Sequence, residues 1–154
     1  MTEVHADTPW WAAAKGWGAT LAGREALLLL GAAAVVQLVM TYRGDLPSHV
    51  LMGGAASLLL ASALPPGVVR RLGAWTTPAV FTAMVPVVLA VEVPYGPFDL
   101  VDVAFTLAGA LVASQASGPV TTASPAERRT VVAVAAVLLV VAWVYRAAMN
   151  QGPT

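Results

Sequence analysis

Five apolar runs dominate this chain, each close to the roughly 20 helical residues that a hydrocarbon core about 30 Å thick requires. They are Glu25–Tyr42, Pro47–Leu64, Trp75–Val93, Phe98–Ala116 and Arg129–Ala148. Brief links rich in Pro and Gly join them, as between antiparallel neighbours, and no internal repeat is visible. Composition agrees: 58% of residues are apolar and 10% charged, against about 25% charged in a soluble domain. The expected fold is all-α, an integral membrane bundle of five transmembrane helices over residues 24–148. An N-terminal interfacial segment (1–23) precedes it and a short outward tail (149–154) follows.

Local chemistry supports these boundaries. Ser124-Pro-Ala-Glu127 reads as a capping box with Pro125 at the first helical position. Pro47 and Pro78 sit in first turns, and Pro86 lies mid-helix, where a kink is expected. Gly53-Gly54-Ala-Ala-Ser57 forms a small-residue face that permits close helix approach and is a candidate surface for a membrane-protein partner. The segment "PWWAAAKGW", with Trp10, Trp11 and Trp17, suits the headgroup region. Its charges and tryptophans argue against a signal peptide. With eight basic and eight acidic residues the net charge is zero, which argues against nucleic-acid binding. The absence of cysteine excludes disulfides and thiolate chemistry.

Counting Lys and Arg sets an orientation. With the N-terminus cytoplasmic, Lys15, Arg24, Arg70, Arg71, Arg128 and Arg129 lie inside and only Arg43 and Arg146 outside, as the positive-inside rule requires. The C-terminus is then outside. Arg43, Asp45, His49, Glu92, Tyr95, Asp99 and Asp102 gather on the outward side. Ionisable groups at membrane depth are costly and usually face a bundle interior or a wet cavity, so one outward polar pocket is expected.

Helix capping competes with that reading. Asp99 and Asp102 stand near Ncap and N3 of the fourth span, and Asp45 precedes the second, all favourable for carboxylates. Glu92 ends a helix, where a carboxylate opposes the macrodipole, so capping does not explain it. His49 follows Asp45 by four residues, which fits a structural hydrogen bond as well as a chemical role. One His with carboxylates can hold Zn or Mn, but there is no His pair or HExxH, and neither metal nor cofactor is expected. Ser48 and His49 are adjacent and diverge on a helix, which disfavours a Ser-His-Asp arrangement.

Two stretches carry a resemblance. "GDLPSHVLMGGAASLLL" resembles the Asp-Lys-x-x-His opening of the VanZ-like family, membrane proteins named for teicoplanin resistance. "FDLVDVAFTLAGALVA" is similar to that family's F-D-x-x-D-x-x-x-N-x-x-G-x-x-x-G segment. Asp45 and His49 match the first motif; Glu92, Asp99, Asp102 and Gly109 match the second region. The member is divergent: Leu46 replaces Lys, Thr106 stands where Asn is usual, and the Gln and Arg after Glu are missing. The resemblance implies a bacterial cytoplasmic membrane protein of the cell envelope, tied to antibiotic resistance and acting at the outer face.

Three functions follow. An outward pocket of Arg43, Asp45, His49, Glu92, Asp99 and Asp102 binds a membrane-lipid headgroup or a cell-wall-related ligand. Alternatively, the chain is a small accessory subunit of a membrane complex, packed through Gly53-Gly54. A third reading makes it an enzyme with His49 as acid/base; loss of the family's Lys, Gln, Arg and Asn weighs against this reading, and catalytic residues are not assigned.

Overall fold

The structure is a computed structural model that describes residues 17–92 and 99–149, with Glu92 described by its backbone. Its described regular structure is helical, joined by short turns: α1 Leu21–Val39, α2 Leu46–Ala63, α3 Pro66–Leu72, α4 Thr76–Glu92, α5 Leu100–Ser114, α6 Ser117–Thr122 and α7 Pro125–Met149. A 3₁₀ turn, Gly73–Trp75, joins α3 to α4. Gly73 has φ +53° there, which a residue with Cβ adopts at a cost.

Four segments are long and apolar enough to cross a membrane: Leu21–Val39, Leu46–Ala63, Pro66–Val91 and Pro125–Met149. The fourth expected span, Phe98–Ala116, is shorter than its sequence promised. The α5 helix has 15 residues, about 22 Å at 1.5 Å per residue, because the chain turns after Ser114 into the separate helix α6. The Pro-rich link before Trp75 likewise coils into α3. Thr20 caps α1 by accepting from the Gly23 N–H at 3.1 Å, so this helix begins at Leu21. Trp10, Trp11 and the tail 150–154 lie outside the described residues.

Burial in this bundle is inverted relative to a water-soluble protein. Leu27, Leu28, Val35, Leu38 and Val39 of α1 and Val137, Val140, Trp143 and Val144 of α7 point outward, while Ser48, His49, Ser57, Thr76, Asp102, Thr106, Ser114 and Ser117 are buried. Exposed apolar surface on that scale needs an apolar solvent, and polar side chains in such a solvent turn to one another. This is a multi-pass helical membrane bundle. The α2 helix is its axis: 72% of its apolar window is buried, against 22% for α7, and it packs on α1, α5 and α7.

Glycine sets the closest packing. A Cβ on Gly53 would collide with the carbonyl oxygen of Thr106, and one on Gly109 with that of Val50. The α2 and α5 backbones therefore touch reciprocally, as small residues allow between membrane helices. Gly54 is filled in the same way by the Leu29 side chain of α1. The Gly53-Gly54 face is thus packed against α5 and α1 within the chain. Tyr145 Oη donates to Gln37 Oε1 at 2.7 Å, tying α7 to α1.

The capping box forms as read. The Ser124 N–H donates to Glu127 Oε2 at 3.0 Å, and the Glu127 N–H donates back to Ser124 Oγ at 3.3 Å. Arg128 then reaches the carbonyls of Val120 and Thr121, capping the end of α6. Pro86 lies inside α4, where its ring nitrogen contributes no hydrogen bond to the helix.

Candidate functional site

The turn between α1 and α2 and the start of α5 meet at one end of the bundle, where the Met149 side chain at the end of α7 approaches Gly44. The reciprocal glycine contact between α2 and α5 brings the first turns of these helices together. His49, one turn into α2, is fully buried against α5.

Two helical intervals set the α5 side of the cluster. Thr106 follows Asp102 by four residues, so both lie on the same face. The Thr106 hydroxyl donates to the Asp102 carbonyl at 2.9 Å and lies 3.1 Å from His49 Nδ1. A hydroxyl has one hydrogen. With that hydrogen on the Asp102 carbonyl, Thr106 accepts from Nδ1–H, which fixes the ring and turns Nε2 to the carboxylates. His49 Nε2 lies 3.5 Å from Asp102 Oδ2 and 4.0 Å from Asp45 Oδ2.

Arg43 closes the cluster from the α1–α2 turn. Its two terminal nitrogens donate to different carboxylates, Nη1 to Asp99 Oδ2 at 2.7 Å and Nη2 to Asp102 Oδ1 at 2.6 Å. Its Nε lies 3.6 Å from Asp45 Oδ1. A planar guanidinium holds the carboxylates in one fixed arrangement, which a compact ammonium does not impose. The bond to Asp99, and then the neighbouring carboxylate charges, hold the Arg43 guanidinium above its ordinary pKa, with burial opposing them. Arg43 in turn holds the Asp99 carboxyl below the usual carboxylate range, helped by the Val101 N–H.

Each expected site residue can now be placed. Arg43, Asp45, His49, Asp99 and Asp102 come together. The side chain of Glu92 lies outside the described residues, as does Tyr95; the α4 backbone ends at Glu92. Asp99 combines both competing roles, accepting from Val101 N–H at 2.8 Å as N-cap while pairing with Arg43. Asp45 does not cap α2: its backbone is αR and its side chain makes no cap bond, because it faces Arg43 and His49 instead. Ser48 donates to the Asp45 carbonyl at 2.6 Å, apart from His49's partner. Arg146 forms no ion pair with the cluster among the described residues.

Thr106 was not expected here. In sequence it reads as a departure from Asn, but its i+4 relation to Asp102 signals that it shares that face. Glu25 was also missed. It is buried in α1 near the opposite end and paired with Arg24 at 2.9 Å.

Asp45, His49 and Asp102 offer ligand atoms within 4.8 Å of one another, a spacing that a divalent ion could use. Arg43 already engages the Oδ1 atoms of both carboxylates, and its positive charge beside them disfavours a divalent ion there. The solvent-facing side of Arg43 and Asp45 opens on a depression of about 300 Å³ lined also by Tyr42, Gly44 and Met149. On the other side of Thr106 an apolar slot of about 150 Å³ runs between α2 and α4, lined by Met52, Gly53, Met84, Val87 and Val91. No known protein family, characterised protein or solved structure matches this chain.

Proposed function

We propose that this chain is a divergent VanZ-like protein of the bacterial cytoplasmic membrane that binds an envelope lipid, or a lipid-borne cell-wall intermediate, at the Arg43–His49–Asp102 cluster. The observation that carries this reading is the cluster's composition: a fully buried histidine, three carboxylates and one guanidinium at one end of a largely apolar bundle. Burying such groups is costly unless they are mutually satisfied or used. One guanidinium against three carboxylates leaves excess negative charge, which suits a ligand bearing an amine or many hydroxyls. The apolar slot behind Thr106 gives an amphiphile somewhere to place its tail, which favours a lipid over a soluble ligand.

The positive-inside count favours this end as the outward one, with Arg24, Arg70, Arg71, Arg128 and Arg129 on the opposite side. Thr106, at the position that matches the family's Asn, hydrogen-bonds His49 and so belongs to the same cluster. A second reading, His49 as acid/base, draws on the fixed Nδ1–H and the two carboxylates beside Nε2. The accessory-subunit reading loses its expected surface, since Gly53 and Gly54 pack within the chain.

Native mass spectrometry of the chain purified in mild detergent tests the proposal. The wild type should retain an amphiphile of discrete mass, and Asp102→Asn should lose it. Retention of the same species by both variants would count against the cluster as its site. Turnover of that species by the wild type but not by His49→Ala would favour the second reading.

A further inference from the structure

At the other end of the bundle the start of α7 meets the end of α2 and the start of α3 around an open groove of about 640 Å³. Its polar corner holds Arg128, Arg129 and Ser62, and its apolar wall runs along α7 through Val132 and Ala136. The Ser62 hydroxyl is buried and has no hydrogen-bond partner among the described residues. Pro66 lines the same groove, and Arg70, one turn later on the same face of α3, is exposed. The nearest carboxylate in sequence, Glu127, is engaged by Ser124 and lines a different depression. The groove therefore carries uncompensated positive charge at one end and a hydrocarbon wall along its length.

We propose that this groove is a binding site for an anionic phospholipid. The phosphate sits at Arg129, at the corner beside Ser62, and one acyl chain lies along Val132 and Ala136. Arg128 spends two of its nitrogens on the α6 carbonyls and so orients the corner, while exposed Arg129 supplies the recognising charge. Charge complementarity selects an anionic headgroup over a zwitterionic one, and the wall selects a lipid over free phosphate. The inference does not rest on the function proposed for the Arg43 cluster.

The test uses the full chain in mild detergent. Phosphatidylglycerol should raise the unfolding temperature by about 5 °C at saturation, while phosphatidylcholine with the same acyl chains and inorganic phosphate should not. Arg129→Gln and, separately, Ala136→Trp, both at exposed positions, should keep the lipid-free unfolding temperature and lose the increment. Equal shifts with the two lipids, an equal shift with phosphate alone, or an increment that survives both substitutions would overturn the site.

Discussion

His49 Nε2 on α2 and Asp102 Oδ2 on α5 stand 3.5 Å apart across an interface where glycine lets two helix backbones touch. The pair is buried and shares Thr106 and Arg43 as neighbours, so its members should behave as one unit. His49→Ala and Asp102→Asn should each destabilise the protein by about 3 kcal/mol, the scale for breaking a buried pair. The double variant should be little worse than either single one. Thermal unfolding of the four proteins in one detergent measures this, and additive losses would show that the two residues act independently.

Arg43 should be irreplaceable by lysine, because its two terminal nitrogens serve different carboxylates. Arg43→Lys retains the charge but should lose most of what Arg43→Gln loses. Asp99 gives the same contact a pH signature. Its folded-state pKa is depressed, so its contribution to stability is fully present above the unfolded value of about 3.9 and falls as pH drops through the folded value. Unfolding temperature followed from about pH 5 to pH 3 should decline less steeply in Asp99→Asn than in wild type. Parallel declines would mean that Arg43 does not hold Asp99.

Gly53→Ala should be destabilising although alanine favours helix, because its Cβ would meet the backbone oxygen of Thr106 rather than a side chain that can move. A loss of about 1–3 kcal/mol is expected from overpacking. Gly31→Ala is the control: nothing lies within 4 Å of its Cβ position, so it should be neutral or stabilise by up to about 1 kcal/mol. A Gly53→Ala variant as stable as Gly31→Ala would place this face in lipid.

These contacts show which parts of the molecule are legible in sequence. Hydropathy located the long helices because lipid imposes a single requirement on each. It overestimated α5, since the turn after Ser114 depends on packing and leaves no Pro or Gly until Gly118. The Ser124–Glu127 box and the Asp99 cap were readable because both are local. Arg43 is expected in the pocket from its position, but only the fold gives it three carboxylate neighbours, two of them 56 and 59 residues away. Asp45 reads as a cap by position alone; its neighbours in space decide otherwise. Thr106 was hidden because a hydroxyl among apolar residues gains meaning only when His49 packs against it.

Orientation has a clean test because the chain contains no cysteine. Tyr42→Cys and Gly67→Cys lie at exposed positions in the two end regions. In intact cells a membrane-impermeant thiol reagent should label Tyr42→Cys and spare Gly67→Cys. The reverse pattern would turn the Arg43 cluster to the cytoplasm.

The central claim is that the cluster around His49 meets a ligand. The most direct measurement is the imidazole resonance of His49 in histidine-labelled protein carrying His5→Gln, which removes the other histidine of the chain. Titration in detergent with a polar lipid extract of a bacterial envelope should shift that resonance saturably, and phosphatidylcholine should leave it in place. An Asp102→Asn background should lose the shift. A His49 resonance that responds equally to both lipids, or to neither, would contradict a ligand site and leave the cluster as a structural tie between α2 and α5.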